Sequence, residues 1–234
     1  MNNKGKARVL VIPDLQIPFE HADSIAFLKW CKKKYSPDVI VNVGDEVDMH
    51  ALSDYDHDPD GYSAGHELTK SIEHLEEHYA LFPRVLVCTS NHTSRPFRRA
   101  HKFGIPAAFI RDYKEFLHAP KGWVWAENHE VDGIRYEHGE GQSGPLGALK
   151  AALANMQSTV IGHLHSHAGI LYSANEKHLV YGFNVGSLID RHAYAFKYGK
   201  NMKSKPIIGA GLVDKGIPTF IPMLLDSRGR WIKR

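Results

Sequence analysis

Short apolar runs that stop abruptly at a polar residue punctuate this chain. Val9 to Ile12 ends at Pro13-Asp14, and Val39 to Val43 ends at Gly44-Asp45. Val85 to Cys88 leads to Ser90-Asn91-His92, and Thr159 to Ile161 leads to Gly162-His163. Runs that are apolar at successive positions, rather than at alternate ones, fit strands covered on both faces. Ile134 to His138 and Tyr181 to Val185 read as further strands, the first short and of mixed polarity. Between these runs the apolar period lengthens to three and four residues. Ile25, Leu28, Cys31 and Tyr35 follow a cap at Asp23 or Ser24, and Leu68, Ile72, Leu75 and Tyr79 recur within Glu67 to Leu81. Pro145 to Met156 predicts another helix, and Ala107 to Leu117 one more, with Phe109, Tyr113 and Phe116 on one stripe. From Ile207 onward, glycines, prolines and β-branched residues predict two antiparallel strands on a sheet edge. Alternation of strand and helix argues for an α/β layered fold. With no internal repeat or linker evident, a single domain over 1–234 is expected.

Composition narrows the class. The chain of 234 residues is 43% hydrophobic and 24% charged, which excludes a disordered, collagenous or coiled-coil protein. Two cysteines, Cys31 and Cys88, make neither a disulfide framework nor a four-cysteine zinc site. Cys88, in mid-strand, reads as a small core residue. No apolar run approaches the roughly 18 residues of a membrane span. The N-terminal apolar stretch meets Asp14 too soon for a signal peptide, so a cytoplasmic protein without a membrane partner is expected. A net charge of +3 permits a polyanionic partner without requiring one, and sixteen histidines are the unusual number.

The chemistry gathers at the strand ends. In α/β sheets, ligands bind beyond the carboxyl ends of the strands. There this chain places Asp14 with Gln16, Asp45 with Asp48, Asn91 with His92, and His163 with His165. These are the oxygen and nitrogen donors that hard or borderline divalent metals prefer. An aspartate between two cations bridges them and imidazoles complete the shells, which is the inventory of a two-metal hydrolytic centre.

Asp14-Leu15-Gln16, Gly44-Asp45-Glu46-Val47-Asp48, Ser90-Asn91-His92, His138-Gly139 and Gly162-His163-Leu164-His165 resemble, in this order, the motifs of the calcineurin-like metallophosphoesterases. One such motif alone is weak, but five in order are a strong signal. The segment Pro-Asp-Leu-Gln-Ile-Pro also looks like that of small bacteriophage-encoded members. The resemblance implies a four-layer α/β/β/α sandwich with mixed sheets and a dinuclear metal site. It implies that Asp14 and His165 bind the first metal, that Asp45 bridges both, and that Asn91, His138 and His163 bind the second. His92 would stand beside the metals as proton donor, with Asp48 fixing its ring. Two positions depart from the family pattern. Gln16 replaces a histidine; if it still coordinates, it shifts preference toward Mn, with Mg, Ni, Fe and Zn as alternatives. Ser90 stands where glycine is common and could tighten its loop.

The implied reaction is hydrolysis of phosphate esters by hydroxide generated at the two cations. Arg95, just after His92, is placed to reach a substrate phosphate, and Arg98, Arg99 and Lys102 follow it. These read equally well as an ordinary basic helix face or as a track for a nucleic-acid backbone. The preferred substrate is a phosphodiester of a nucleotide or nucleic acid. The alternatives are a phosphomonoester, including Ser/Thr phosphoprotein, or a metal-binding scaffold that has lost catalysis, with Gln16 its first sign of decay. Protein partners are not readable from the sequence.

Other features carry plainer readings. Asp54 to Asp60 lacks the spacing of an EF-hand and reads as a solvated loop. His74 and His78 sit one turn apart, a possible metal pair, but the glutamates around them favour an exposed helix face. Lys197, Lys200, Lys203 and Lys205 read as a surface loop. For Trp123 and Trp125, packing of one ring inward is preferred over base stacking.

Overall fold

The computed structural model describes residues 6–54, 60–190, 192–193 and 203–233. The first sheet contains β1 (Arg8–Ile12), β2 (Val39–Asn42), β3 (Val85–Cys88) and β4 (Trp123–Ala126), all parallel. Two antiparallel strands, β10 (Gly209–Asp214) and β11 (Ile217–Pro222), extend it in the order β11-β10-β1-β2-β3-β4. The second sheet runs β5 (Asn128–Val131), β6 (Ile134–Glu137), β7 (Thr159–Ile161), β9 (Leu179–Asn184) and β8 (Gly169–Ala174). Its three central strands are parallel and its two edges antiparallel.

Successive side chains of a strand face opposite ways, and here both faces are covered. Val9, Val11, Val41 and Val43 meet Tyr136, Val160, Phe183 and Val185 of the second sheet. The alternate residues Leu10 and Ile12 pack with Phe27, Leu28 and Cys31 of α1 (Ser24–Tyr35) and Leu75 of α2 (Ala64–Leu81). On the outer side of the second sheet, α5 (Gly147–Asn155) sets Ala148 and Ala151 against Ile161. The layers are therefore α/β/β/α. Burial on two faces explains the successive apolar residues of Val9 to Ile12, Val39 to Val41 and Val85 to Cys88.

Several sequence expectations need correction. Ala107 to Leu117 is not one helix. A 3-10 turn covers Ala107–Phe109, and a separate short helix, α4 (Tyr113–Phe116), begins where Asp112 accepts the Glu115 N–H at 2.8 Å. That cap starts a new helix instead of continuing an old one. Asp23 precedes α1 but does not cap it, because its carboxylate is taken by Arg230 and by the Trp231 N–H. Of the tryptophans, Trp123 is fully buried, while the Trp125 indole N–H donates to Glu46 at 2.9 Å. Residues 55–59 of the acidic stretch, together with Lys197 and Lys200, lie outside the described residues. Among the described residues, no helix is long and apolar enough to cross a membrane.

The largest correction concerns the helix face carrying His74 and His78: His78 is 2% exposed. Burial pushes its imidazole down to about 4, against an opposing pull from Glu20 and a supporting push from His74. The unfolded chain therefore takes up a proton below 6.5 that the folded chain refuses until about 4. Stability should fall as pH drops through that window, by about 3 kcal/mol at most, and level off below it. In chelator-treated protein, urea unfolding at pH 7 and pH 4.5 should show a smaller difference for His78→Leu than for the natural chain. Equal differences would refute the assignment.

Candidate metal centre

Because β1, β2 and β3 run parallel, the residues following them emerge at one edge. The sharp turns there need unusual backbone. Gln16, Asp45 and His163 have φ of 50°, 51° and 65°, a region that non-glycine residues enter at a cost of about 1–3 kcal/mol each. Two glycines make room. Gly44 has φ +100°, and a Cβ there would lie 2.7 Å from Ser90 Cβ. A Cβ on Gly162 would lie 2.1 Å from Asp14 Oδ1. Gly162→Ala should therefore displace the Asp14 carboxylate and weaken divalent-cation binding by at least about tenfold, measured by calorimetry. Unchanged affinity would show that Asp14 is not a ligand.

One cluster centres on His138. Its Nδ1 donates to the Val43 carbonyl at 2.9 Å, which leaves a lone pair on Nε2 in the neutral ring. That Nε2 lies 2.7 Å from Asn91 Oδ1, 3.2 Å from His163 Nδ1 and 3.5 Å from Asp45 Oδ1. The open His138 nitrogen, an amide oxygen, a carboxylate oxygen and the His163 ring nitrogen thus converge, an arrangement that a proton or a metal cation satisfies. Burial, and then the neighbouring His138, pull the His163 imidazole below its ordinary value, keeping it in the ligand form.

A second cluster lies across Asp45. His165 Nε2 stands 2.8 Å from Asp14 Oδ2, and the Gln16 amide nitrogen is 3.2 Å from Asp45 Oδ2 and 3.3 Å from His165 Nε2. Gln16 Oε1 is buried without a hydrogen-bond partner. Ligand atoms of Asp14, Asp45 and His165 lie within 4.8 Å of one another. Asp45 thus presents Oδ1 to one cluster and Oδ2 to the other. Burial pushes its carboxyl up, but His138, His92 and His165 outweigh that and hold it well below the usual range. Buried carboxylates need such compensation.

Beside the clusters, His92 Nδ1 is 2.8 Å from Asp48 Oδ1. Burial lowers this imidazole, yet Asp45 and Asp48 together raise it above its ordinary value. The Arg95 guanidinium, 8% exposed, donates from Nη1 to the Asp48 carbonyl at 2.8 Å and to Oδ1 at 2.7 Å. Its Nη2 stands 3.2 Å from His92 Nε2. This three-way linkage is not visible in sequence spacing. Four other groups contribute in ways that no sequence pattern assigned to them. Ser90 Oγ accepts the Asp45 N–H at 2.9 Å, and Val43 supplies its carbonyl. Arg98 donates to the Asn91 carbonyl at 2.8 Å. Glu46, wholly buried, is pushed up to about 7 by that burial. Of these, Ser90 carried a signal as the side chain where glycine was expected and Arg98 as one of the basic residues after Arg95, whereas Val43 and Glu46 carried none for this role.

No family model and no curated protein matches the chain by sequence. Among solved structures it is similar to the phosphoesterase YfcE from E. coli, at 13% identity and a TM-score of 0.46, covering 97% of each chain. It is similar to vacuolar protein sorting 29 from Cryptosporidium parvum, at 13% identity and 0.44, covering 92% of this chain and 96% of that one. A metallophosphoesterase from Sphaerobacter thermophilus matches at 14% and 0.44, covering 92% and 87%. The chain's own packing has four α/β/β/α layers, as the sequence resemblance implied, and one edge of it gathers all five motifs that carry that resemblance.

Proposed function

We propose that this chain, as one domain over 1–234, is a dinuclear metal-dependent phosphoesterase. The observation that carries the reading is Asp45, buried between two clusters of lone-pair donors and facing one oxygen to each. Asp14, Gln16, Asp45 and His165 would hold one cation, and Asp45, Asn91, His138 and His163 the other. The donor sets fit, since Gln16 Oε1 is an orphaned buried atom and His138 Nε2 faces two side-chain oxygens and the His163 ring nitrogen. Divalent ions there supply an acidified water and offset the charge of the phosphate oxygens.

The chain's own groups do the rest. The Val43 carbonyl holds His138 in the tautomer that leaves Nε2 open. His92 would donate a proton to the leaving oxygen, with Asp48 fixing the ring through Nδ1. Arg95 anchors Asp48 and presents Nη2 beside His92 Nε2, where a substrate phosphate oxygen would be received. Arg98 adds positive charge at the Asn91 lip, which supports a phosphodiester of a nucleotide or nucleic acid as substrate. The oxygen-rich first set, with an amide in place of an imidazole, favours Mn. Initial rates on bis-p-nitrophenyl phosphate and p-nitrophenyl phosphate, with Mn, Mg, Zn and Ni, test this. Faster diester turnover with Mn is expected; faster monoester turnover would overturn the diesterase preference.

One observation favours a second reading. The Gln16 amide nitrogen reaches both Asp45 and His165, so it can satisfy the first cluster without a cation. Metal analysis after Mn saturation should find two Mn per chain. One would overturn the dinuclear assignment, and none, with no turnover, would favour a non-catalytic scaffold.

A further inference from the structure

The segment after Asp48 is held by two groups of opposite charge that the proposed reaction does not use. The chain turns there through Met49, buried and with φ of 55°, into a 3-10 turn over His50–Leu52. A left-handed methionine costs about 1–3 kcal/mol and persists only where its surroundings enforce it. Glu67, in the first turn of α2, holds one end of the turn. Its carboxylate is buried and accepts the His50 N–H at 2.6 Å and the Ala51 N–H at 2.8 Å. Arg99, on α3 (Arg95–Lys102), holds the other end. Its Nε donates to the Leu52 carbonyl at 2.9 Å and its Nη2 to the Ser53 carbonyl. An anion at the N–H end of a turn and a cation at its carbonyl end complement its dipole. One helical turn beyond Glu67, Ser71 Oγ donates at 3.1 Å to the Ile17 carbonyl, which also receives the Asp48 N–H at 3.0 Å.

We infer that Glu67 and Arg99 are positioning residues: by clamping the turn after Asp48 to α2 and α3, they keep the Asp48 carboxylate against His92 Nδ1. The same α3 carries Arg95, which binds Asp48 directly, so the helix that follows His92 is tied both to Asp48 and to the turn beyond it. Arg99, which the sequence offers to a nucleic-acid backbone, is committed to this turn. Glu67 sits there against its own solvation. Burial pushes its carboxyl up to about 7, the Ala51 and His50 N–H groups and Arg95 oppose that push, and Asp48 adds to it. Departures of this sort gather at functional sites. The effect on catalysis rests on the phosphoesterase reading; the clamp does not.

The test uses the full chain carrying Glu67→Gln or, separately, Arg99→Ala, with Arg99→Lys as the conservative variant that should restore part of the loss. Gln keeps the shape but turns an N–H2 toward one of the two N–H groups that Glu67 receives. In metal-free protein labelled with 15N-histidine, NMR follows exchange of the His92 Nδ1 proton with water. That exchange should quicken by about tenfold or more in Glu67→Gln and Arg99→Ala. With Mn, kcat on an alkyl phosphodiester should fall by about 10–100-fold, while KM and the nitrophenyl ester rate change less than about threefold. Unchanged exchange would overturn the clamp. Equal losses on both esters, or no loss on either, would overturn the positioning role. Faster exchange in the variants, beside a natural chain that hydrolyses neither ester, would keep the clamp and sink the phosphoesterase reading instead.

Discussion

Replacing Asp45 with Asn is expected to lower kcat/KM on a phosphodiester by about a thousandfold or more, since the charge stabilisation at stake is several kcal/mol. The carboxylate is the one group shared by both clusters, with Oδ2 at Gln16 and Oδ1 at His138 and the His92 N–H. An amide keeps the shape but removes the charge and turns an N–H2 toward one of the two clusters. Either orientation therefore sets the N–H2 against a donor, the Gln16 amide nitrogen or the His92 N–H, and against any cation in that cluster. Measured beside the rate, Mn content should fall below two per chain. Full activity with one Mn per chain would remove Asp45 from its bridging role.

The second large effect belongs to His92→Ala, and its size should depend on the leaving group. A positioned general acid contributes about 10²–10⁴-fold. That much should be lost on alkyl phosphodiesters, whose alkoxide leaves poorly, and less than about tenfold on nitrophenyl esters, which need little protonation. Two carboxylates favour the protonated ring, and burial opposes them without prevailing. Arg95 Nη2 at Nε2 works in the other direction, because a guanidinium meets a lone pair there rather than an N–H. Donation from Nε2 thus requires the guanidinium to move onto the substrate, which couples phosphate binding to proton release. Equal losses on both ester classes would show that His92 is not the acid.

How much of this was legible beforehand varies along the chain. The strands β1, β2, β3 and β7 are buried on both faces, so runs of successive apolar residues revealed them. The edge strands β4, β5 and β8 were not foreseen as strands, because one side of each meets solvent and their polarity is mixed. In the site, the polar residue after each inner strand could be read directly. The hold of Arg95 on Asp48 joins residues 47 apart, and that of Asp14 on the His163 N–H joins residues 149 apart. No local pattern encodes such pairs.

By itself, then, the sequence determined which residue types end the inner strands and that strands covered on both faces carry them, since burial leaves a trace of successive apolar residues. Tertiary structure alone decided which of those residues meet. It turned His138 with the Val43 carbonyl, committed Arg95 to Asp48, and buried His78 on a helix whose glutamates suggested solvent. The reason is geometric. Periodicity reports which face of an element is covered, whereas a contact between elements depends on sheet order and on how closely the layers approach.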